Sequence, residues 1–150
     1  MRIQSFLEQS PPFQATRIAR RIEASINRML GEEGLTFLEA LILAAVFFEK
    51  ARVKPSQLAL QLQTTRANIS HSISSLEAKG LAQRKIDADD ARAIQVVLLP
   101  AGRRRAARVV GILDRVQRGF EDGLGASKLQ GTMAQLRAIE ELCARLAKSG

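Results

Sequence analysis

The sequence has one cysteine and one histidine among its 150 residues. A single cysteine excludes a disulfide framework and a cysteine-based zinc site. A single histidine leaves a histidine-built metal centre or a serine-histidine-aspartate triad without the partners it needs. No glycine-rich phosphate loop is present. The longest apolar run is the nine residues Ala40–Phe48, far short of the roughly 20 that span a bilayer. The first turns of the chain carry no continuous apolar stretch of the kind a secretion signal uses. These absences predict a protein that is not an enzyme, holds no cofactor or metal, does not enter a membrane and works in the cytoplasm, on the nucleoid. The length is that of one ordinary domain, able to bury a core without staples.

Acidic residues are also scarce. There are 23 Lys and Arg against 15 Asp and Glu, a formal net charge of +8. The excess is not spread evenly. Residues 50–108 hold 12 basic and 4 acidic side chains, and the rest of the chain holds 11 of each. A device for general solubility would not be concentrated in this way, so the distribution suggests a polyanionic partner; a solvated basic surface is the plainer alternative.

Hydrophobic periodicity divides the chain. Residues 1–12 read as an arm or short helix broken at Pro11-Pro12. From Phe13, Ile18, Ile22, Ile26 and Met29 form one helical stripe that ends near Gly31 or Gly34. Thr36-Phe-Leu-Glu39 is a capping box, and the helix after it is apolar on most faces, so it belongs at the centre. Pro55 opens a short helix to Leu62 with Leu58 and Ala59 inward. Thr64 or Thr65 caps another helix that Gly80 stops, with Ile69, Ile73 and Leu76 on its core side. Leu81–Ile86 and Ile94–Leu98 are β-prone and flank a polar turn, a hairpin pattern. Pro100 opens a long helix to about Phe120, Gly123 and Gly125 break it, and a last helix carries Leu129, Met133, Leu136, Ile139, Leu142 and Leu146.

A short helix, a tight turn, a second helix and a hairpin make a winged helix-turn-helix. The fold class expected is mainly α with a two-stranded wing: a core over about 35–100, with 1–34 and 101–150 as dimerisation helices of a single domain. The second helix turns Asn68, Ser70, His71 and Ser74 outward, with Arg66 toward the edge. Such small polar side chains allow close approach to base edges and carry donors and acceptors; a solvated face is the bland reading. The hairpin carries Arg84 and Lys85 on its first strand and Arg92 near its tip among Asp87, Asp89 and Asp90. A carboxylate beside an arginine aims its guanidinium, and an arginine at a wing tip suits a narrow minor groove; a simple turn salt bridge is the alternative. Arg103, Arg104 and Arg105 follow Pro100 where the helix dipole disfavours cations, which points to phosphate or to a partner's acids; a simple solvated face is the alternative.

From about Leu35 to Gly102 the chain resembles the MarR family of bacterial transcription regulators. The matching strings are PSQLALQLQTTRANISHSISSLEAKGLAQR and DADDARAIQVVLLPAG. The family's wing pattern falls on Asp90, Arg92, Leu98, Leu99 and Gly102, with Leu99 where the family usually has a threonine. The resemblance implies that Ser70 and His71 face the major groove, with Asn68 and Ser74 beside them, and that Asp90 orients the wing arginine Arg92. The family often has arginine at the position of His71, so base preference is expected to differ.

The partners expected are duplex DNA and a second copy of the chain. One small winged core cannot cover the stripes of the first helix and the last two, and a C₂ dimer would bury them and space two recognition helices about one DNA turn apart. The expected activity is that of a repressor on pseudo-palindromic DNA. The resemblance also implies release by a small aromatic or anionic effector, with Phe13, Arg17, Arg21, Phe37 and Phe47 as candidates; the phenylalanines could equally be core alone. Two rivals are a redox-responsive regulator using Cys143 and a winged-helix protein-interaction module without DNA binding.

Overall fold

The most apolar stretch of the chain forms the centre of a computed structural model that describes residues 3–49, 52–86, 88–89 and 93–148. The helix order is α1 (Ile3–Gln9), α2 (Pro11–Met29), a 3-10 turn (Gly31–Glu33), α3 (Phe37–Phe48), α4 (Pro55–Gln61) and α5 (Arg66–Ala78). Strands β1 (Ala82–Ile86) and β2 (Ile94–Leu98) follow, then α6 (Pro100–Leu124) and α7 (Ala126–Lys148). Mainly helical, with one two-stranded antiparallel sheet, this is the winged helix-turn-helix architecture.

The capping box forms as the sequence requires. Thr36 Oγ1 accepts from the Glu39 amide at 3.3 Å, and the Glu39 carboxylate accepts from the Thr36 amide at 3.0 Å. Helix α3 then buries Ala40, Ile42, Leu43 and Ala44. Helix α5 packs against α3, α4 and β1 through Ile69, Ile73 and Leu76, all fully buried. The hairpin pairs Ala82 with Leu98 and Ile86 with Ile94. Val53 adds an isolated bridge to Val96, whose amide donates to the Val53 carbonyl at 2.8 Å.

Two chain reversals place α5. Between α4 and α5, the Thr64 amide donates to the Ala59 carbonyl and the Gln63 amide to Leu60. This is a Schellman stop with Gln63 at the left-handed position, φ 49°, which ordinarily calls for glycine. After α5 the same pair of bonds, Leu81 to Leu76 and Gly80 to Glu77, uses Gly80 at φ 68°. Its apolar contact is supplied by the buried Leu76 and Leu81.

The chain divides into two compact units, one over Asn27–Leu113 and one combining segments 1–26 and 114–150. Every buried apolar residue lies between Leu30 and Val109, in the first unit. The second buries no apolar side chain among its described residues; Ile18, Ile22, Phe120, Leu124, Met133, Leu136, Leu142 and Leu146 are all exposed. No described helix is long and apolar enough to cross a membrane.

Two boundaries differ from the sequence reading. Pro11 and Pro12 begin α2 instead of breaking the chain, because proline suits a first helical turn whose amides lack partners; the junction is at Ser10. Helix α6 continues through Gly123 to Leu124, and only Gly125, at φ 80°, ends it. Gly102 has a role beyond pattern: a Cβ there would lie 1.8 Å from the Leu81 carbonyl oxygen, so α6 can start against the base of the wing only with glycine.

Two opposite backbone substitutions check these positions by denaturant midpoint. Gln63→Gly relieves a left-handed non-glycine residue and is expected to stabilise by up to about 1 kcal/mol. Gly102→Ala forces main chain apart and is expected to destabilise by about 1–3 kcal/mol.

Candidate nucleic-acid interface

Helix α5 begins with a side-chain cap. Thr65 Oγ1 accepts from the Asn68 amide at 3.1 Å, and Asn68 Nδ2 donates to Thr64 Oγ1 at 3.1 Å. With Ile69, Ile73 and Leu76 turned to the core, Arg66, Asn68, Ser70, His71 and Ser74 are exposed together on the other side. All five were expected there. Ser75, on the same helix, is half-buried and bonds the Glu39 carboxylate.

Arg84 comes from β1 yet belongs to this face. Its amide donates to Glu77 Oε1 at 2.7 Å, and its Nη1 pairs with Glu77 Oε2. Its Nη2 shares its two hydrogens among the Ser70 carbonyl at 2.8 Å and the Ser70 and Ser74 hydroxyls at 3.2 Å each. The guanidinium, expected from the sequence to face DNA, is instead engaged with its own chain and ties the wing strand to α5. Lys85, next along β1, is exposed. A groove beside this face is lined by Lys54, Ser56, Arg66, Ser70, Arg84 and Ile94.

At the wing, Arg52 Nη1 pairs with Asp89 at 2.6 Å. Asp87, Asp90 and Arg92 lie outside the described residues. Of the arginines after Pro100, Arg103 and Arg104 are exposed. Arg105 instead pairs with Glu33 at 3.1 Å, and Arg108 joins it at 3.0 Å. The acid that compensates these cations therefore comes from the 3-10 turn, about 70 residues away in sequence.

The effector candidates fall in different units. Phe13, Arg17 and Arg21 are exposed on α2, in the unit containing segment 1–26; Phe37 and Phe47 are half-buried on α3 in the central unit. Phe37 is held by its amide, which donates to Asn27 Oδ1 at 2.7 Å, and Phe47 meets Phe48 edge-on with centroids 5.7 Å apart. Cys143 is exposed on α7.

Glu39 is the group that sequence reasoning left at a cap. It is buried, and Lys79, the residue that ends α5, donates Nζ to it at 2.7 Å. Burial pushes its carboxyl up, but hydrogen bonds from Lys79, Ser75 and the Thr36 amide, with the Lys79 charge, outweigh this and hold it below the ordinary value. One carboxylate so fastens the start of α3 to the end of α5. No local signal reports a pair 40 residues apart.

The MarR family model matches residues 33–93, the stretch that holds α3, α4, α5 and the first wing strand, β1. Over that stretch the chain is similar to the MarR family. It is 29% identical over 87 residues to the HTH-type transcriptional regulator PrsX of Escherichia coli, covering 57% of this chain and 52% of PrsX. The chain thus spans about half the length of the curated relatives it matches. Its fold is similar to that of S. aureus MepR in a DNA complex, with a TM-score of 0.78 and 19% identity over 88% of this chain and 97% of that one. It is also similar to CouR of Rhodococcus jostii bound to p-coumaroyl-CoA, with a TM-score of 0.73 and 20% identity over 89% and 93% of the two chains. In this fold α5 is the second helix of the helix-turn-helix, with the side opposite Ile69, Ile73 and Leu76 exposed.

The Glu39–Lys79 pair has a pH signature. A carboxyl whose folded pKa is depressed stabilises fully above its unfolded value and loses that contribution as pH falls through the folded one. Lys79→Met leaves a buried acceptor short of a donor and is expected to cost about 1–3 kcal/mol at neutral pH. Urea unfolding of both proteins at a series of pH values should show the gap closing below the ordinary glutamate value of 4.5.

Proposed function

We propose that this protein is a DNA-binding transcription regulator that acts as a homodimer, represses at pseudo-palindromic duplex sites and releases them when a small aromatic or anionic effector binds. The observation that carries the reading is the composition of the outward side of α5. Asn68, Ser70, His71 and Ser74 are exposed on a helix whose opposite side is fully buried, so they stand at a fixed height above a rigid core. Short polar side chains in that setting fit into a major groove and read base edges. Arg66, Lys85, Arg103 and Arg104 are exposed cations suited to phosphate, and Arg92 with Asp90 is assigned to the minor groove by the wing pattern. The likeness to MepR in its DNA complex supports the same docking.

The dimer rests on unpartnered apolar surface. A unit that buries none of its apolar side chains while exposing stripes on three long helices needs a cover, and a second copy supplies an equal and complementary one. The effector reading has the support of CouR, which is bound to p-coumaroyl-CoA, and of the exposure of Phe13, Arg17 and Arg21 at four-residue spacing on α2.

Two measurements test this. His71→Ala should leave melting unchanged and reduce discrimination between a selected operator and random duplex by about 1–3 kcal/mol; equal losses on both DNAs would make His71 a backbone contact. Light scattering should give a dimer for the full chain. Leu136→Glu with Leu142→Glu should then yield monomers with much weaker operator binding, and a mutant that stays a tight-binding dimer would refute the α7 interface.

A further inference from the structure

We propose that Arg84 is a positioning residue that sets the hydrogen-bonding polarity of Ser74, so that α5 prefers an amino base, adenine or cytosine, on the strand facing that hydroxyl. The inference rests on the DNA-binding reading above and adds a base preference to it.

A serine hydroxyl ordinarily has one hydrogen to donate and two lone pairs, and it rotates to suit either kind of partner. Ser74 has two partners whose chemistry runs only one way. The Ser70 carbonyl can only accept, and the Ser74 hydroxyl lies 3.0 Å from it, so the hydrogen is committed there. A guanidinium can only donate, and Arg84 Nη2 lies 3.2 Å from the same hydroxyl, so one lone pair is committed there. One lone pair remains, on an exposed side chain. A base amine can use it at no loss, whereas a base carbonyl must compete with Ser70 for the hydrogen.

Ser70 differs. Its hydroxyl accepts from the same Nη2 at 3.2 Å and keeps its hydrogen, so it can serve keto and amino edges alike. The guanidinium that imposes this difference is itself fixed by Glu77 through Nη1 and through the Arg84 amide. Four residues from two elements thus turn one of two similar serines into an acceptor. In the major groove adenine N6 and cytosine N4 are donors, while thymine O4 and guanine O6 are acceptors. Every base pair offers one of each, so the preference concerns which strand carries the amino base.

The test is selection from a random duplex pool with the full-length protein, followed by titration at several salt concentrations, for wild type, Ser74→Ala and Arg84→Met. Wild type should show one position per half-site where A and C outcompete G and T by roughly threefold to tenfold, the range of one net hydrogen bond. Ser74→Ala should erase the preference at that position alone. Arg84→Met should relax it, because the freed hydroxyl can turn to either edge. Arg84→Lys should restore it only in part, since a lysine lacks the fork that holds Glu77 and Ser74 together. A salt slope lowered by about one in Arg84→Met would place the guanidinium on a phosphate and overturn the inference. So would an unchanged preference in Ser74→Ala, a variant that alters no core contact. Wild type that selects no sequence would overturn the DNA-binding reading, and this inference with it.

Discussion

The burial of Ile69, Ile73 and Leu76 against α3 is the contact on which everything else in the central unit depends. It fixes the rotation of α5 about its own axis, and with it which side chains can meet a partner. Each of these residues is fully enclosed, and burying such a side chain is worth about 1.5–3 kcal/mol. A helix with that stripe inward cannot turn without exposing it. The polar residues between those positions are therefore outward as a consequence of packing, whatever their own preferences.

Polar contacts refine a placement that packing has made. Glu39 and Lys79 join the start of α3 to the end of α5, and Arg84 joins the wing to the middle of α5 through Glu77, Ser70 and Ser74. Glu33 gathers Arg105 and Arg108 at the start of α6. In all three, a carboxylate holds one or two cations at a junction between elements. The basic excess of the central segment is thus partly spent within the fold, while Arg66, Lys85, Arg103 and Arg104 are among the exposed cations of the described residues.

The second unit follows a different physical logic. Its helices are amphipathic, yet their apolar sides remain open among the described residues. A core is present only where α3, α4, α5, the wing and the start of α6 converge. The buried apolar side chains belong to the central unit, and the terminal helices keep theirs exposed among the described residues.

Local chemistry along the sequence determined a good deal. Thr36 and Glu39 specify a helix start by their spacing, Gly80 specifies a stop, and the i, i+4, i+7 stripe of Ile69, Ile73 and Leu76 specifies which side of α5 is outward; the exposed Asn68, Ser70, His71 and Ser74 follow from that. These signals act over one or two turns, so they are legible without tertiary contacts. The Schellman stop at Gln63 was not, because the residue that marks such a stop is usually glycine and here is not. Only the tertiary structure decided where the charged side chains go. Arg84 and Arg103 look alike in sequence, each a cation beside other cations. One faces Glu77 and two serines across a strand–helix junction, and the other is exposed. Ion pairs between residues 40 or more positions apart depend on how elements pack, and no periodicity or cap encodes them.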